Sequence, residues 1–311
     1  MIRRPPRSTP SNSSAASDVY KRQLYIVASR NEERVLSLAM DMLERHSTYD
    51  HKVVVCLNDS TDGSAAMLRE RGIDVIETHR PCRFESMNLA AQYAVAKYSN
   101  RYLFFSHNDI LPLPKWDVYL MKYASPDTGL IPNVLNVNPK YPLTSKYPGC
   151  YDTEDPVERF VSGGYEEELI GAQRLLSDEC FPVAPGDQFY RVFPPLLVDR
   201  VKFFEAGQWP ADLAHQVMFR LEDMVDRLAA VGVSLVGVNA SFLYHFSWQA
   251  SRNYLADNID YRDLKGLSNP ESTTEELKRN LEELERWGLG SHPYVGNNPD
   301  EYASIKGVRK Q

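Results

Sequence analysis

Cysteine is scarce in this chain: only Cys56, Cys82, Cys150 and Cys180 occur among 311 residues, and no two form a CxxC pair. That spacing argues against a structural zinc site and gives no sign of a disulfide framework. Buried, reduced thiols are the expected state. Positive charge is not in excess either. The net charge is −7, with 35 Lys and Arg against 42 Asp and Glu, so bulk attraction to nucleic acid is not expected. No apolar run approaches the roughly 20 residues that a membrane-spanning helix needs. A soluble protein is expected, cytoplasmic or seated peripherally at the inner face of a membrane. Internal repeats are absent too.

The first 23 residues lack core formers. Met1–Gln23 is rich in Arg, Pro and Ser, has no periodicity, and contains no apolar stretch of the kind a secretory signal requires. Its composition suits a transit peptide or a disordered tail. The run from Ile2-Arg3-Arg4-Pro5-Pro6-Arg7 to Asp18-Val19-Tyr20-Lys21-Arg22-Gln23 more closely resembles translated sequencing-adapter sequence. The segment is therefore expected to be foreign to the fold, with the true start missing.

What remains is 43% hydrophobic, enough for a substantial core. Leu24–Ser29 reads as an apolar strand, and Glu33–His46 as a helix with Val35, Leu36, Leu38, Ala39, Met42 and Leu43 as its apolar positions. Strands follow at Lys52–Leu57, Ile73–Glu77 and Arg101–Ser106. Helices are predicted at Ala65–Arg71, stopped by Gly72, at Ser86–Tyr98 and at Trp116–Tyr123. This alternation predicts an α/β fold with a doubly wound, mainly parallel sheet. Asn133–Pro195 reads as loops with short strands and one or two helices, roofing the site. Leu196–Phe204 reads as a strand and turn, Met218–Val231 as a helix closed by Gly232, and Ser234–Phe246 as a strand pair or one bent strand. Thr273–Trp287 is a charged amphipathic helix with Leu277, Leu281 and Leu284 on one face.

Two acidic segments follow buried strands, Asn58-Asp59-Ser60-Thr61-Asp62-Gly63-Ser64 and His107-Asn108-Asp109. Carboxyl ends of strands in open α/β sheets are where ligands bind. The first segment is also a good turn and helix cap; its functional alternative is contact with a nucleotide base and ribose. The second is an ordinary solvated turn or a site for a hard divalent cation, which takes oxygen ligands and, for manganese, imidazole nitrogen. Glu222-Asp223, with Asp226 and Arg227, forms either a solvated helix face or a pair in which one carboxylate serves as a base. His245, inside apolar Phe242–Phe246, is either a satisfied core residue or a further metal ligand.

Taken in order, these segments resemble an inverting, family 2-type glycosyltransferase of the GT-A fold, over about residues 24–251. The matched pieces are Asn31-Glu32-Glu33 after the first strand, Asn58 to Ser64, Asn88 on its helix, and Phe104 to Asp109 with Pro112, Pro114 and Trp116. Phe204-Glu205-Ala206-Gly207, Glu222 to Arg227 and His245 complete the series. The resemblance implies transfer of a sugar from a UDP-, GDP- or dTDP-sugar to an acceptor hydroxyl of a glycan, a lipid-linked sugar or a small molecule. It places Ser29, Asn31, Glu33, Asn58, Asp59, Asp62, Asn88, His107 and Asn108 around the nucleotide. Asp109 and His245 would hold Mn2+ or Mg2+, and Asp223 or Glu222 would deprotonate the acceptor. Trp209 and Trp248 are packing residues or stacking platforms for sugar rings.

The chain departs from the family's pattern. The usual Asp-x-Asp reads His107-Asn108-Asp109, the acidic residue usual in the base-binding turn is Leu57 or Asn58, and the Arg that often precedes Asn88 is Met87. A degenerate domain that binds nucleotide or glycan without turnover is the competing reading. A sugar-1-phosphate nucleotidyltransferase would want a Gly-rich phosphate loop after the first strand, and Ala28-Ser29-Arg30-Asn31 offers none. The expected organisation is a leader (1–23), a GT-A domain (24–265) with a nucleotide-binding half (24–125) and an acceptor half (126–265), and a helical tail (266–311).

Overall fold

The computed structural model of the chain describes residues 23–79, 83–136, 146–148, 155–183, 195–209 and 221–246. The expected leader up to residue 22, the tail helix and Trp248 lie outside the described residues, while Gln23, expected in the leader, is buried as the first residue of the first strand. Strand β1 (Gln23–Ser29) leads into helix α1 (Glu33–His46), and β2 (Lys52–Asn58) into α2 (Ser64–Glu70). Strand β3 (Asp74–Thr78), helix α3 (Arg83–Lys97) and β4 (Tyr102–His107) follow. The short β5 (Ile110–Pro112), α4 (Trp116–Lys122) and the long β6 (Thr128–Asn136) come next. Then come α5 (Pro156–Ser162), α6 (Tyr165–Gln173), β7 (Cys180–Pro182), β8 (Leu196–Asp199), α7 (Arg200–Glu205), α8 (Leu221–Ala230) and β9 (Ser234–His245).

Among the described residues, nine strands join one sheet in the order β3-β2-β1-β4-β8-β6-β9-β5, with β7 on β9. The pairs β1–β2, β2–β3 and β1–β4 are parallel. Beyond β4 the sheet is mixed. Strand β8 runs antiparallel to both β4 and β6, and β9 is parallel to β6 but antiparallel to β5 and β7. The strand order reverses direction between β1 and β4, so the crevice outside their carboxyl ends is the switch point where open α/β sheets bind ligands.

Side chains alternate across β1: Tyr25 and Val27 join the core on one face with Leu36, Trp116 and Tyr244. Leu24 and Ile26 join the other with Leu89, Phe105 and Trp209. Strands covered on both faces must be apolar throughout, which is why β1, β2 and β4 are continuous hydrophobic runs.

Three features differ from the pattern-based reading. Leu196–Phe204 is a strand followed by a helix, not a turn: the Asp199 carboxylate accepts from Val201 N at 2.9 Å and Lys202 N at 3.4 Å and so starts α7. Strand β5 was not expected. It pairs only with β9, at the sheet edge where Pro112 is tolerated. Cys180 is exposed, whereas Cys56 is buried as expected. Ser234–Phe246 is one bent strand. Pro132 of β6 pairs with Val238 and the next residue, Asn133, with Phe242, so Asn239, Ala240 and Ser241 bulge out of register. Within Asn133–Pro195, the described residues form the end of β6, α5, α6 and β7. Among the described residues no helix is long and apolar enough to cross a membrane.

Candidate metal and nucleotide site

The tip of β4 and the end of β9 meet at the switch point. Strand β4 stops at His107, Asn108-Asp109 turn the chain, and β5 then pairs with β9 so that Ile110 lies opposite His245. Phe246 N donates to Asp109 O at 3.1 Å and closes the arrangement. His245 Nε2 thereby reaches Asp109 Oδ2 at 3.1 Å. The His107 and His245 rings lie edge to face, with centroids 5.6 Å apart. One ligand atom from each of His107, Asp109 and His245 falls within 4.8 Å of the others. Two imidazole nitrogens and one carboxylate oxygen are a donor set suited to a divalent transition ion such as Mn2+.

Burial opposes ionisation of the Asp109 carboxyl, but the charge and hydrogen bond of His245, helped by His107, outweigh it and hold the pKa at about 2. Glu32 is the opposite case. Its own burial, reinforced by the nearby Asp109 charge, pushes its carboxyl up to about 8 despite a hydrogen bond from Asn108. Two neighbouring carboxyls are thus driven apart, and Asp109 keeps the negative charge.

Asn108 and Ser29 meet across the crevice: Asn108 Nδ2 donates to Ser29 Oγ at 3.0 Å and to Glu32 Oε2 at 2.7 Å. The other expected nucleotide contacts divide into two groups. Asn31, Glu33 and Asp62 clasp the loops after β1 and β2 together. Asn31 N donates to Ser60 Oγ at 3.2 Å, and Asn31 Oδ1 accepts from Thr61 N at 2.7 Å. Glu33 N donates to Asp62 Oδ2 at 2.9 Å, and Glu33 Oε2 accepts from Gly63 N at 3.1 Å. Asp62 Oδ1 also accepts from Ser64 N at 3.2 Å, at the start of α2. Asn31 and Asp59 both adopt left-handed backbone, at φ 50° and 49°, a conformation that Asn and Asp enter more readily than other side-chain-bearing residues.

Asn58 and Asp59 sit at the end of β2. Asn58 is buried, and its Oδ1 finds no hydrogen-bond partner among the described residues. Buried amide oxygens are seldom left unpaired, which singles Asn58 out at this edge of the sheet. The Asp59 carboxylate pairs with His79 Nδ1. Asn88, also expected at the nucleotide, makes hydrogen bonds to the backbone of Trp209. It is buried in α3, where Nδ2 donates to Trp209 O at 2.9 Å and Oδ1 accepts from Trp209 N at 3.0 Å. That bracket holds Trp209 in the core, stacked on Phe84 and edge-on to Phe105. Trp209 is 1% exposed, so packing is its role. Glu222 and Asp223 lie in the first turn of α8, but their side chains fall outside what is described.

His107, which the resemblance places at the nucleotide, lies in the group with Asp109 and His245 that could hold a cation, in keeping with imidazole as a manganese ligand at the end of β4. Glu32 was passed over between Asn31 and Glu33, because nothing local distinguishes which of three adjacent polar residues turns toward β4.

No protein-family model matches this chain, and no curated protein matches it. Solved structures do. Residues 1–349 of TarS of S. aureus in complex with UDP-GlcNAc superimpose with a TM-score of 0.50 at 12% identity, covering 91% of this chain and 70% of that one. GalNAc-T7 with UDP, GalNAc and Mn2+ gives a TM-score of 0.51 at 14% identity, covering 92% of this chain and 54% of that one. At such identities the likeness speaks for architecture. The chain has the GT-A fold.

Proposed function

We propose that this protein is an inverting glycosyltransferase that moves a sugar from a nucleoside-diphosphate sugar to an acceptor hydroxyl. The observation that carries the reading is the convergence of His107, Asp109 and His245 at the switch point of a GT-A sheet. UDP-GlcNAc in TarS, and UDP with Mn2+ in GalNAc-T7, support a UDP-sugar as the first donor to test. The acceptor is a glycan, a lipid-linked sugar or a small hydroxyl compound, met by the half of the chain beyond residue 125.

His107, Asp109 and His245 fit Mn2+ better than Mg2+, which takes oxygen ligands; Mn2+ held there would supply charge neutralisation for the departing diphosphate. His107 takes over as a ligand where the family's first carboxylate is missing, which favours a working site over a degenerate one. Asn58, with its unpartnered Oδ1, and Asp59 flank the nucleoside, beside Ser29 and Asn108. Asp223, or its neighbour Glu222, accepts the acceptor's hydroxyl proton. The freed oxygen forms its bond to the anomeric carbon as the bond from that carbon to the diphosphate oxygen breaks on the opposite face. The configuration inverts, and nucleoside diphosphate is released.

The test is thermal melting of the full chain with UDP, GDP and dTDP, each with and without Mn2+, followed by donor hydrolysis or transfer assays. A ligand at 100 times its dissociation constant stabilises the fold by about 2.7 kcal/mol. A Mn2+-dependent shift with one nucleotide, and turnover lost in Asp223→Asn while binding survives, is the expected result. Binding without turnover in the parent protein would favour the binding-module reading instead.

A further inference from the structure

The β4 tip is held by side chains from the first strand and its loop. Asn108 stands between the two tip ligands His107 and Asp109, is buried, and spends both amide hydrogens on acceptors that follow β1, Ser29 Oγ at 3.0 Å and Glu32 Oε2 at 2.7 Å. Strands β1 and β4 are neighbours with Ala28 opposite His107, so this bridge spans the crevice itself. Within Asn31-Glu32-Glu33, the outer two side chains turn to the loop after β2, where they accept from Thr61 N and Gly63 N. Only Glu32 turns to the metal-bearing tip. The other side of the tip is tied to β9, where Phe246 N donates to Asp109 O and β5 pairs alongside.

We propose that Glu32 is a positioning residue of the metal site, acting through Asn108 to fix the turn that carries His107 and Asp109. The role rests on reading His107, Asp109 and His245 as a cation site. Partners beyond the ligands orient them, so that the ion does not have to pay for ordering them on arrival. What Glu32 supplies is a hydrogen-bond acceptor at one place, which a glutamine oxygen also supplies and an alanine does not.

The experiment measures the dissociation constant of Mn2+ alone, from the electron paramagnetic resonance of the free ion, on the full chain. The proteins are the parent, Asp109→Asn, Glu32→Ala, Glu32→Gln, Asn108→Ser and the Glu32→Ala/Asn108→Ser double variant, each with its melting temperature. Expected are a loss of affinity of about tenfold in Glu32→Ala, near-parental affinity in Glu32→Gln, and a double variant no weaker than Asn108→Ser alone. A folded Glu32→Ala that binds Mn2+ like the parent, or additive losses in the double variant, would overturn the positioning role. So would a Glu32→Gln as weak as Glu32→Ala, because charge rather than the bridge would then matter. If Glu32→Ala does not fold, Asn108→Ser and Glu32→Gln decide on the same terms. A parent that binds no Mn2+, or an Asp109→Asn that binds it equally well, overturns the cation site and the role of Glu32 with it.

Discussion

Two groups of polar residues share the carboxyl edge of one sheet and are used differently. After β1 and β2, Asn31, Glu33 and Asp62 satisfy backbone N–H groups of each other's loops and of the helix that starts there. After β4 there is no long helix to start: the chain turns back into β5, and His107 and Asp109 face His245 instead. The orphan N–H groups of a helix start consume nearby carboxylates. A strand-to-strand turn makes no such demand, and here its side chains meet one another and the end of β9 instead. Acidic residues at the end of a strand are thus a weak sign of a site when a helix follows and a stronger one when a second strand does.

The sharpest way to break that contrast is Asp109→Asn. The metal site should fail, and Mn2+-dependent transfer should fall by about 100-fold or more, the equivalent of several kcal/mol of lost charge stabilisation; steady-state kinetics against Mn2+ concentration read it. Retained transfer would place the chemistry elsewhere. Asn88→Ala comes next. It removes the hydrogen bonds that Asn88 makes to Trp209 N and O in the core, and urea unfolding should report a loss of about 2 kcal/mol. Nucleotide affinity of the folded protein should not change, and a selective loss of UDP binding would return Asn88 to the nucleotide site. Asp62→Ala removes the acceptor for Ser64 N and Glu33 N and should cost about 1 kcal/mol of stability. A larger drop in donor affinity than in stability would show that the clasp also touches the nucleotide.

The smallest effect is a pH dependence on the far side of α1. Burial lowers the pKa of His46 below its ordinary value, and its hydrogen bond to Glu166 at 2.8 Å offsets this only in part. The unfolded chain therefore binds the proton more readily. The contribution of His46 to stability is present above the ordinary histidine pKa of about 6.5 and is lost as pH falls through the lower folded value. Melting temperatures between pH 8 and pH 5.5 should fall less steeply in His46→Gln than in the parent.

Much of the first half of the fold was legible. Helix α1 spans Glu33–His46 as its apolar periodicity predicts, and β1, β2 and β4 were recognised as apolar runs within a residue of their ends. Gly72 and Gly232, at φ 70° and 79°, end their segments as expected. Strand β5 was not legible. Three residues including Pro112 carry no periodicity, and only β9 makes them a strand. The start of α7 was legible in principle, since Asp199 is a good N-cap, but an apolar run leading into a six-residue helix reads as a strand and turn. In the candidate site, the polar ends of β4 and β9 that carry Asp109 and His245 were legible, while the approach of His107 to them and the orientation of Glu32 were not.

The sequence alone determined the alternation of strand and helix, the buried runs and the polar groups at their ends, because periodicity, capping and turn formation depend on neighbours a few residues away. Tertiary structure decided which of those polar groups meet. The pairing of β5 with β9 brings His245 to within 3.1 Å of Asp109, and the pairing of β1 with β4 sets Glu32 and Ser29 against Asn108. Both are contacts between segments far apart in the chain, where register and sheet order, not local residue type, set the distance.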